Sequence, residues 1–294
     1  MKLVTYEYAD RTAVGLVQDG VIVDLSAVAT DMVRLIEGGV TALDRARKIA
    51  GVASDTIPLE SVRLLAPIPS PRRNVMCLGK NYAEHARESN EARGENVELP
   101  EFPVIFTKAT TAVNGPFDDV AINAAISAKM DYESELAVII GRTIKNAGRG
   151  ETLAAVFGYM VLNDITARDL QTQHKQFFKG KSLDGCCPTG PWIVTADELP
   201  DPHKLRINCH VNGELRQDDT TAEMLFDIPA ILDHLSRGMT LLPGDIIATG
   251  TPSGVGFARK PPVYLQPGDL VECAVEGIGA IRNRIVAENQ LNQG

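Results

Sequence analysis

The sequence predicts an α+β fold in which β structure predominates, and three observations carry that expectation. After residue 70, short apolar runs alternate with turns centred on glycine and proline. Helical periodicities are too few to alternate with those runs, so a doubly wound nucleotide fold is disfavoured and a mixed, mostly antiparallel β architecture is expected. The first 70 residues read as a small α/β unit of their own, closed by APIPSPRRN, where Pro67, Pro69 and Pro71 remove backbone donors and hold the chain extended. The expected division is residues 1–70 and 71–294, with the junction near Ser70.

Taken in order, KLVTYEY and TAVGLV read as strands, and Asp19-Gly20 before VIVDL is the dipeptide of a tight hairpin turn. Thr30 is the expected cap of a short helix, with Asp31 favouring its positive end, Val33, Leu35 and Ile36 on its apolar stripe and Gly38-Gly39 as its stop. TALDRARKIA reads as a second helix. Beyond the junction, VMCLG is a strand, followed by a glycine turn and a helix capped by Asn81. MDYESELAVIIG reads as one strand; GYMVLN is another and meets a helix start at Asp164. RINCHV and ELRQDD flank Asn212-Gly213, a hairpin signal, and Pro-Gly centres two further turns, Leu242 to Ile246 and Gln266 to Leu270. In IPAILDHLSRG, Ile228, Ile231, Leu232 and Leu235 recur at helical spacing behind a capping Asp227, and Gly238 closes the helix.

The 294 residues carry 29 basic against 38 acidic side chains, a net charge of −9, with 5% aromatics. That leaves neither the cationic footprint nor the stacking surface that nucleic-acid binding needs. No stretch approaches the roughly 20 apolar residues of a membrane span, and MKLVTYEYADR reaches charges before any apolar leader forms. A cytoplasmic protein with neither membrane nor nucleic-acid partners is expected. Cys77, Cys186, Cys187, Cys209 and Cys273 are odd in number and lack CxxC spacing, which predicts free thiols, the adjacent pair lining the core. Gly180-Lys181-Ser182 is no phosphate loop, since Lys175 stands where its first glycine belongs. Gly250 to Gly256 lacks a dinucleotide site's third glycine and following helix, and Ser253 lacks the glycine a nucleophile elbow requires.

The chemistry concentrates in three motifs. Glu133 and Glu135, two apart on an expected strand, project from one face and repel unless a cation lies between them; Asp131 is expected to point the same way. A solvated acidic face fits the spacing too, but the apolar AVIIG that follows at once suggests a strand diving into the core with its acids near a cleft. Asp164 ends an apolar strand, and if a helix runs on from it, Arg168 and Gln171 share its face; a helix cap with an ion pair fits equally well. Three carboxylates without histidine or cysteine make a hard, all-oxygen site that suits Mg²⁺ or Mn²⁺, with Ca²⁺ as a further candidate. Such an ion, with Arg168 and Lys181, would give a net-acidic protein the local positive field an anionic substrate needs. His85 and Glu88 are i, i+3 neighbours, the arrangement of a general base with a fixed tautomer, although by spacing alone a surface His-Glu pair is the commoner outcome.

Together GKNYAEHARE, PVIFTKATTAVNGP, MDYESELAVIIG, NDITARDLQ with FFKGKSLDGCCPTGPW, and LLPGDIIATGTPSGVG resemble the fumarylacetoacetate hydrolase family, from about Arg72 to Val286. The resemblance implies a catalytic domain rolled as a mixed β-sandwich and paired as a homodimer. It implies Glu133, Glu135 and Asp164 as metal ligands, His85 with Glu88 as the water-activating dyad, and Lys181 as the active-site lysine. Arg168 and Gln171 match residues that hold the substrate, and Thr251 matches a contact to its carboxylate end. ESNEARGENVELPEF, polar and loop-like, resembles a lid over bound ligand. The expected substrate is a small 2-oxo acid, and the expected reaction is hydrolysis of an acylpyruvate such as fumarylpyruvate or maleylpyruvate. There the ion polarises the 2-oxo group, His85 activates water and Lys181 steadies the oxyanion. Oxaloacetate decarboxylation, isomerisation or hydration of 2-oxo-alkenoates, and dicarboxylate binding without turnover are the alternatives. Arg72, Arg73, Arg87 and Arg93 are candidates to meet a second substrate carboxylate.

Overall fold

A computed structural model of the chain describes residues 1–96 and 98–288. Its spine is a mixed sheet of twelve strands. The sheet runs from the N-terminal strands Val21–Asp24, Arg11–Gln18 and Lys2–Tyr8 through Cys187–Thr195, Val156–Asn163 and Ser134–Ile140. It continues through Ile246–Ala248 to Val75–Gly79 and Val104–Lys108. A second sheet of five strands, Glu214–Thr220, Arg206–Val211, Leu270–Val275, Gly279–Ala287 and Val120–Ile122, packs on one face of it. The fold is therefore α+β with β structure predominant, as composition and patterning predict. Among the described residues, no helix is long and apolar enough to cross a membrane.

Ser134–Ile140 explains why its sequence is an unbroken apolar run. Leu136, Val138 and Ile140 enter the core shared with Ile207, Val271 and Ile281 of the second sheet. Ala137 and Ile139 face the opposite way, into a core with Leu3, Leu16, Leu35 and Ile36. A strand covered on both faces has no reason to alternate. Lys2 and Leu3 pair with Val194 and Ile193, so the sheet and this second core both continue across the Ser70 junction.

The expected turns form: Asp19 and Gly20, and Asn212 and Gly213, take positive φ, and Asp245 and Asp269 donate N–H back to Leu242 and Gln266. Several local expectations change. Asp31, not Thr30, caps the Met32–Glu37 helix, its carboxylate accepting from Arg34 N at 2.8 Å. Gly38 ends that helix while Gly39 opens the next, Gly39–Ala50. Asn81 does not cap the Ala83–Arg93 helix, which starts after Tyr82. Its buried amide instead donates to Thr249 O at 2.7 Å and Phe226 O at 3.0 Å, tying two loops together. MDYESELAVIIG is two strands: Met130–Asp131 pairs with Thr166–Ala167 apart from the main sheet, and Ser134 begins the sheet strand. The segment from Glu88 to Phe102, expected as a loop, is helical to Arg93, where Gly94 stops the helix at φ +68°; its Val97 lies outside the described residues. All five cysteines are buried free thiols.

Candidate active site

Antiparallel pairing sets Ser134 opposite Asn163, so Glu133 and Asp164 meet just beyond the ladder's end. Asp164 N donates to Glu133 O at 2.8 Å, and Glu133 N donates to Asn163 Oδ1 at 3.1 Å. Glu135 lies two residues from Glu133 along the same extended chain. One carboxylate oxygen from each of Glu133, Glu135 and Asp164 falls within 4.8 Å of the others, and all three residues are buried. Asp131 does not join them. Its carboxylate accepts from Gly256 N at 2.8 Å, Phe257 N at 3.0 Å and Arg168 Nε at 2.9 Å, because the break after Met130–Asp131 turns it toward that loop.

Three cations answer part of this buried negative charge. Lys181 Nζ donates to Glu133 Oε2 and Asp164 Oδ2, both at 2.7 Å. Arg168 Nη2 stands 2.7 Å from Glu133 Oε1, off the line of its N–H. Lys108 Nζ donates to Asp164 Oδ1 at 2.6 Å and Ile165 O at 3.0 Å, with no exposure to solvent. Burial pushes Glu133 up, but Lys181 and Arg168, with His85 behind them, overcome it and hold the carboxyl down at about 2. Among the described residues, no cation pairs with Glu135. Burial, then the charges of Asp164 and Glu133, push it well above the carboxylate range, against the nearby Lys181 charge and one donor, Gly250 N at 2.7 Å. A hard, all-oxygen set with one acid lacking its own cation fits a divalent metal ion.

His85 sits on the Ala83–Arg93 helix with Nδ1 2.9 Å from Glu88 Oε1. Glu88 is itself fixed by Gly254 N, at 3.1 Å to Oε1 and 3.0 Å to Oε2. With Nδ1 engaged, Nε2 is the nitrogen left for a ligand. The Arg168–Gln173 helix begins at Arg168, so Asp164 is not a helical turn before it; Thr166–Ala167 intervenes as a strand. Arg168 Nη1 still reaches Gln171 Oε1 at 3.3 Å. Thr251 is buried, donating its hydroxyl to Ser134 O at 2.9 Å.

Several of these residues line one narrow cleft of about 30 Å³: His85, Glu133, Arg168, Gln171, Lys181 and Thr251, with Arg93 beside them. A surface depression of about 540 Å³ near Thr12, Met32 and Arg72 is larger but brings none of them together. Of the residues singled out in the sequence, His85, Lys181, Glu133, Arg168, Gln171 and Thr251 line the cleft, Glu135 and Asp164 lie behind it with Glu133, and Glu88 holds His85 from outside it. Lys108 was not anticipated. Its signal was a lone cation ending the apolar run VIFTK, the one charge in a strand that otherwise enters the sheet.

Two packed sheets bring an acid trio at the end of a strand ladder against a histidine–glutamate pair on the Ala83–Arg93 helix, the arrangement of a small-molecule site. The chain belongs to the fumarylacetoacetate hydrolase family: residues 74–286 match the Fumarylacetoacetate (FAA) hydrolase C-terminal domain. It is 40% identical to the oxaloacetate tautomerase YisK of Bacillus subtilis (strain 168), covering 97% of this chain and 100% of that protein. The fumarylacetoacetate hydrolase structure from Exiguobacterium antarcticum is 43% identical, with a TM-score of 0.81 over 98% of this chain and 100% of that one. The maleylpyruvate hydrolase of Sphingobium sp. SYK-6, solved with manganese(II) and pyruvate, is 33% identical, with a TM-score of 0.80 over 98% and 99% of the two chains.

Proposed function

We propose that the chain interconverts the keto and enol forms of a 2-oxo dicarboxylate of the oxaloacetate type. The observation that carries this is the end-to-end likeness to YisK, joined to a cleft with one positioned base beside a carboxylate trio. Acylpyruvate hydrolysis, expected from the motifs, gives way to the oxaloacetate alternative, though to tautomerisation and not decarboxylation. A divalent ion, Mg²⁺ or Mn²⁺, held by Glu133, Glu135 and Asp164 would supply Lewis-acid polarisation of the 2-oxo group.

Every other contribution comes from the chain. His85 Nε2 takes a proton from C3, and the C–H electron pair enters the C2–C3 bond as the 2-oxygen gains negative charge. Glu88 holds the opposite ring nitrogen and stabilises the imidazolium. The Lys181 ammonium lies beside the trio and steadies that oxygen until the His85 imidazolium gives the proton up to it, which yields the enol and restores the neutral base. Thr251 and Gln171 position the 1-carboxylate end. The narrow cleft excludes bulk water, which keeps proton transfer local.

Likeness to the maleylpyruvate hydrolase supports carbon–carbon hydrolysis as a second reading, with His85 activating water. One assay separates them. With Mn²⁺ or Mg²⁺, decay of the enol absorbance of oxaloacetate should accelerate, chelation should remove the acceleration, and His85→Ala should cost about 10²- to 10⁴-fold. Faster pyruvate release from acylpyruvates than enol decay would establish hydrolysis instead.

A further inference from the structure

We propose that Arg93 selects substrates bearing a second carboxylate, receiving that group at the far side of Gln171 from the acid trio. The inference rests on the reading of the cleft as a 2-oxo acid site.

The Ala83–Arg93 helix places His85, Ser89 and Arg93 at i, i+4 and i+8, and all three line the cleft. One helix face therefore carries the proposed base and a guanidinium about 12 Å apart along the axis. Side chains lean toward a helix's N-terminus, which brings the long Arg93 side chain back over the cleft. Gln171 Oε1 links it to the site, 3.4 Å from Arg93 Nη2 and 3.3 Å from Arg168 Nη1.

What distinguishes Arg93 is a charge without a direct ion-pair partner among the described residues. Arg72 pairs with Glu37, Arg73 with Asp245 and Arg87 with Glu84. Lys80, also lining the cleft, has Glu95 at 3.8 Å, and Arg168 is matched by Asp131 and Glu133. Among the described residues, no carboxylate pairs with Arg93. It shares the ring of Phe257 with Arg168, their guanidinium carbons 5.6 and 4.3 Å from the centroid. Partial burial, then the like charge of Arg168, act against its ionised form, and the more distant carboxylates of Glu95 and Glu133, not paired with it, offset them only in part. A carboxylate entering the cleft would restore the missing countercharge through a two-pronged hydrogen bond. Of the four arginines the sequence offers for a second carboxylate, the structure leaves one facing the site.

The test compares wild type, Arg93→Gln and Arg93→Lys, each first checked for an unchanged melting temperature. With Mn²⁺ present, each is titrated calorimetrically with oxalate, which has no distal arm, and with 3,3-difluoro-oxaloacetate, which has the arm but cannot enolise. Arg93→Gln should weaken the four-carbon probe by about 10- to 100-fold and leave oxalate within about twofold, with Arg93→Lys between. Turnover of oxaloacetate should fall mainly through a higher KM. Equal weakening of both probes, or of neither, overturns the proposal. A wild-type protein that binds both probes but does not turn over oxaloacetate defeats the tautomerase reading alone, and the probe ratio still decides the role of Arg93.

Discussion

Glu135 is the member of the trio whose charge is least compensated: Lys181 touches Glu133 and Asp164, Lys108 holds Asp164, and Glu135 has one backbone donor. Replacing it with Gln keeps the shape and removes a carboxyl whose ionised form burial and its acidic neighbours oppose. Metal-free Glu135→Gln protein should therefore be as stable as wild type or more stable, by about 1 kcal/mol. The stabilisation that Mn²⁺ gives wild type, which grows with the ratio of ion concentration to Kd, should largely vanish. Thermal melts with chelator and with Mn²⁺ read both effects, and loss of stability in chelator would contradict the charge argument. At this scale the sequence was partly legible. Two-residue spacing placed Glu133 and Glu135 together, because extended chain has a period of two. The same rule misplaced Asp131, since nothing in the string marks the break where the loop at Gly256 and Phe257 captures it. Lys108 was invisible because its partner, Asp164, is 56 residues away.

Between elements, a glycine sets the position of Lys181. The short Phe178–Lys181 helix lies against Arg168–Gln173 so closely that a Cβ on Gly180 would sit 2.5 Å from Gln171 N and 2.7 Å from Ala167 O. Both are backbone atoms, so neither can swing aside. Gly180→Ala should push the helices apart, moving the Lys181 ammonium off Glu133 and Asp164. Overpacking of this kind costs about 1–3 kcal/mol, and displacement of a positioned group by about 1 Å can cost 10²-fold in rate. The expected result is a folded protein with a modestly lower Tm and kcat reduced by tenfold or more; unchanged kcat would show that the contact does not position Lys181. The glycine that imitates a phosphate-loop residue in the sequence is thus explained by helix contact. Elements with local signals, such as the Asn212-Gly213 hairpin and the Asp227-capped helix Ile228–Ser236, were readable from the string. Asn81 looked like a cap because its position before the helix is right, but distant carbonyls of Thr249 and Phe226 outcompete the helix N-terminus for its side chain.

Across the whole molecule, predominance of β structure followed from turn chemistry and scarce helices, but the joining of the N-terminal residues to the rest did not, because cross-sheet pairing over nearly 200 positions leaves no local pattern. Lys2–Tyr8 pairs on one edge with Cys187–Thr195. Leu3, Leu16, Leu25, Leu35 and Ile36 share a core with Val75, Ala137, Ile139, Met160, Leu162 and Ile246. The strand that carries Glu135 is therefore covered on one face by residues from the first 70. If that core is cooperative, the intact chain unfolds in one calorimetric transition, with equal calorimetric and van't Hoff enthalpies. A 71–294 fragment loses the cover and exposes the Cys187–Thr195 edge, an unpaired row of backbone donors and acceptors beside apolar side chains. It should aggregate on expression and fail to bind Mn²⁺ at the trio, since nothing remains to hold Ser134–Ile140 from that side. Two resolved transitions in the intact chain, or a soluble fragment that binds the ion as wild type does, would mean that residues 1–70 form a separable unit and that the site stands without them.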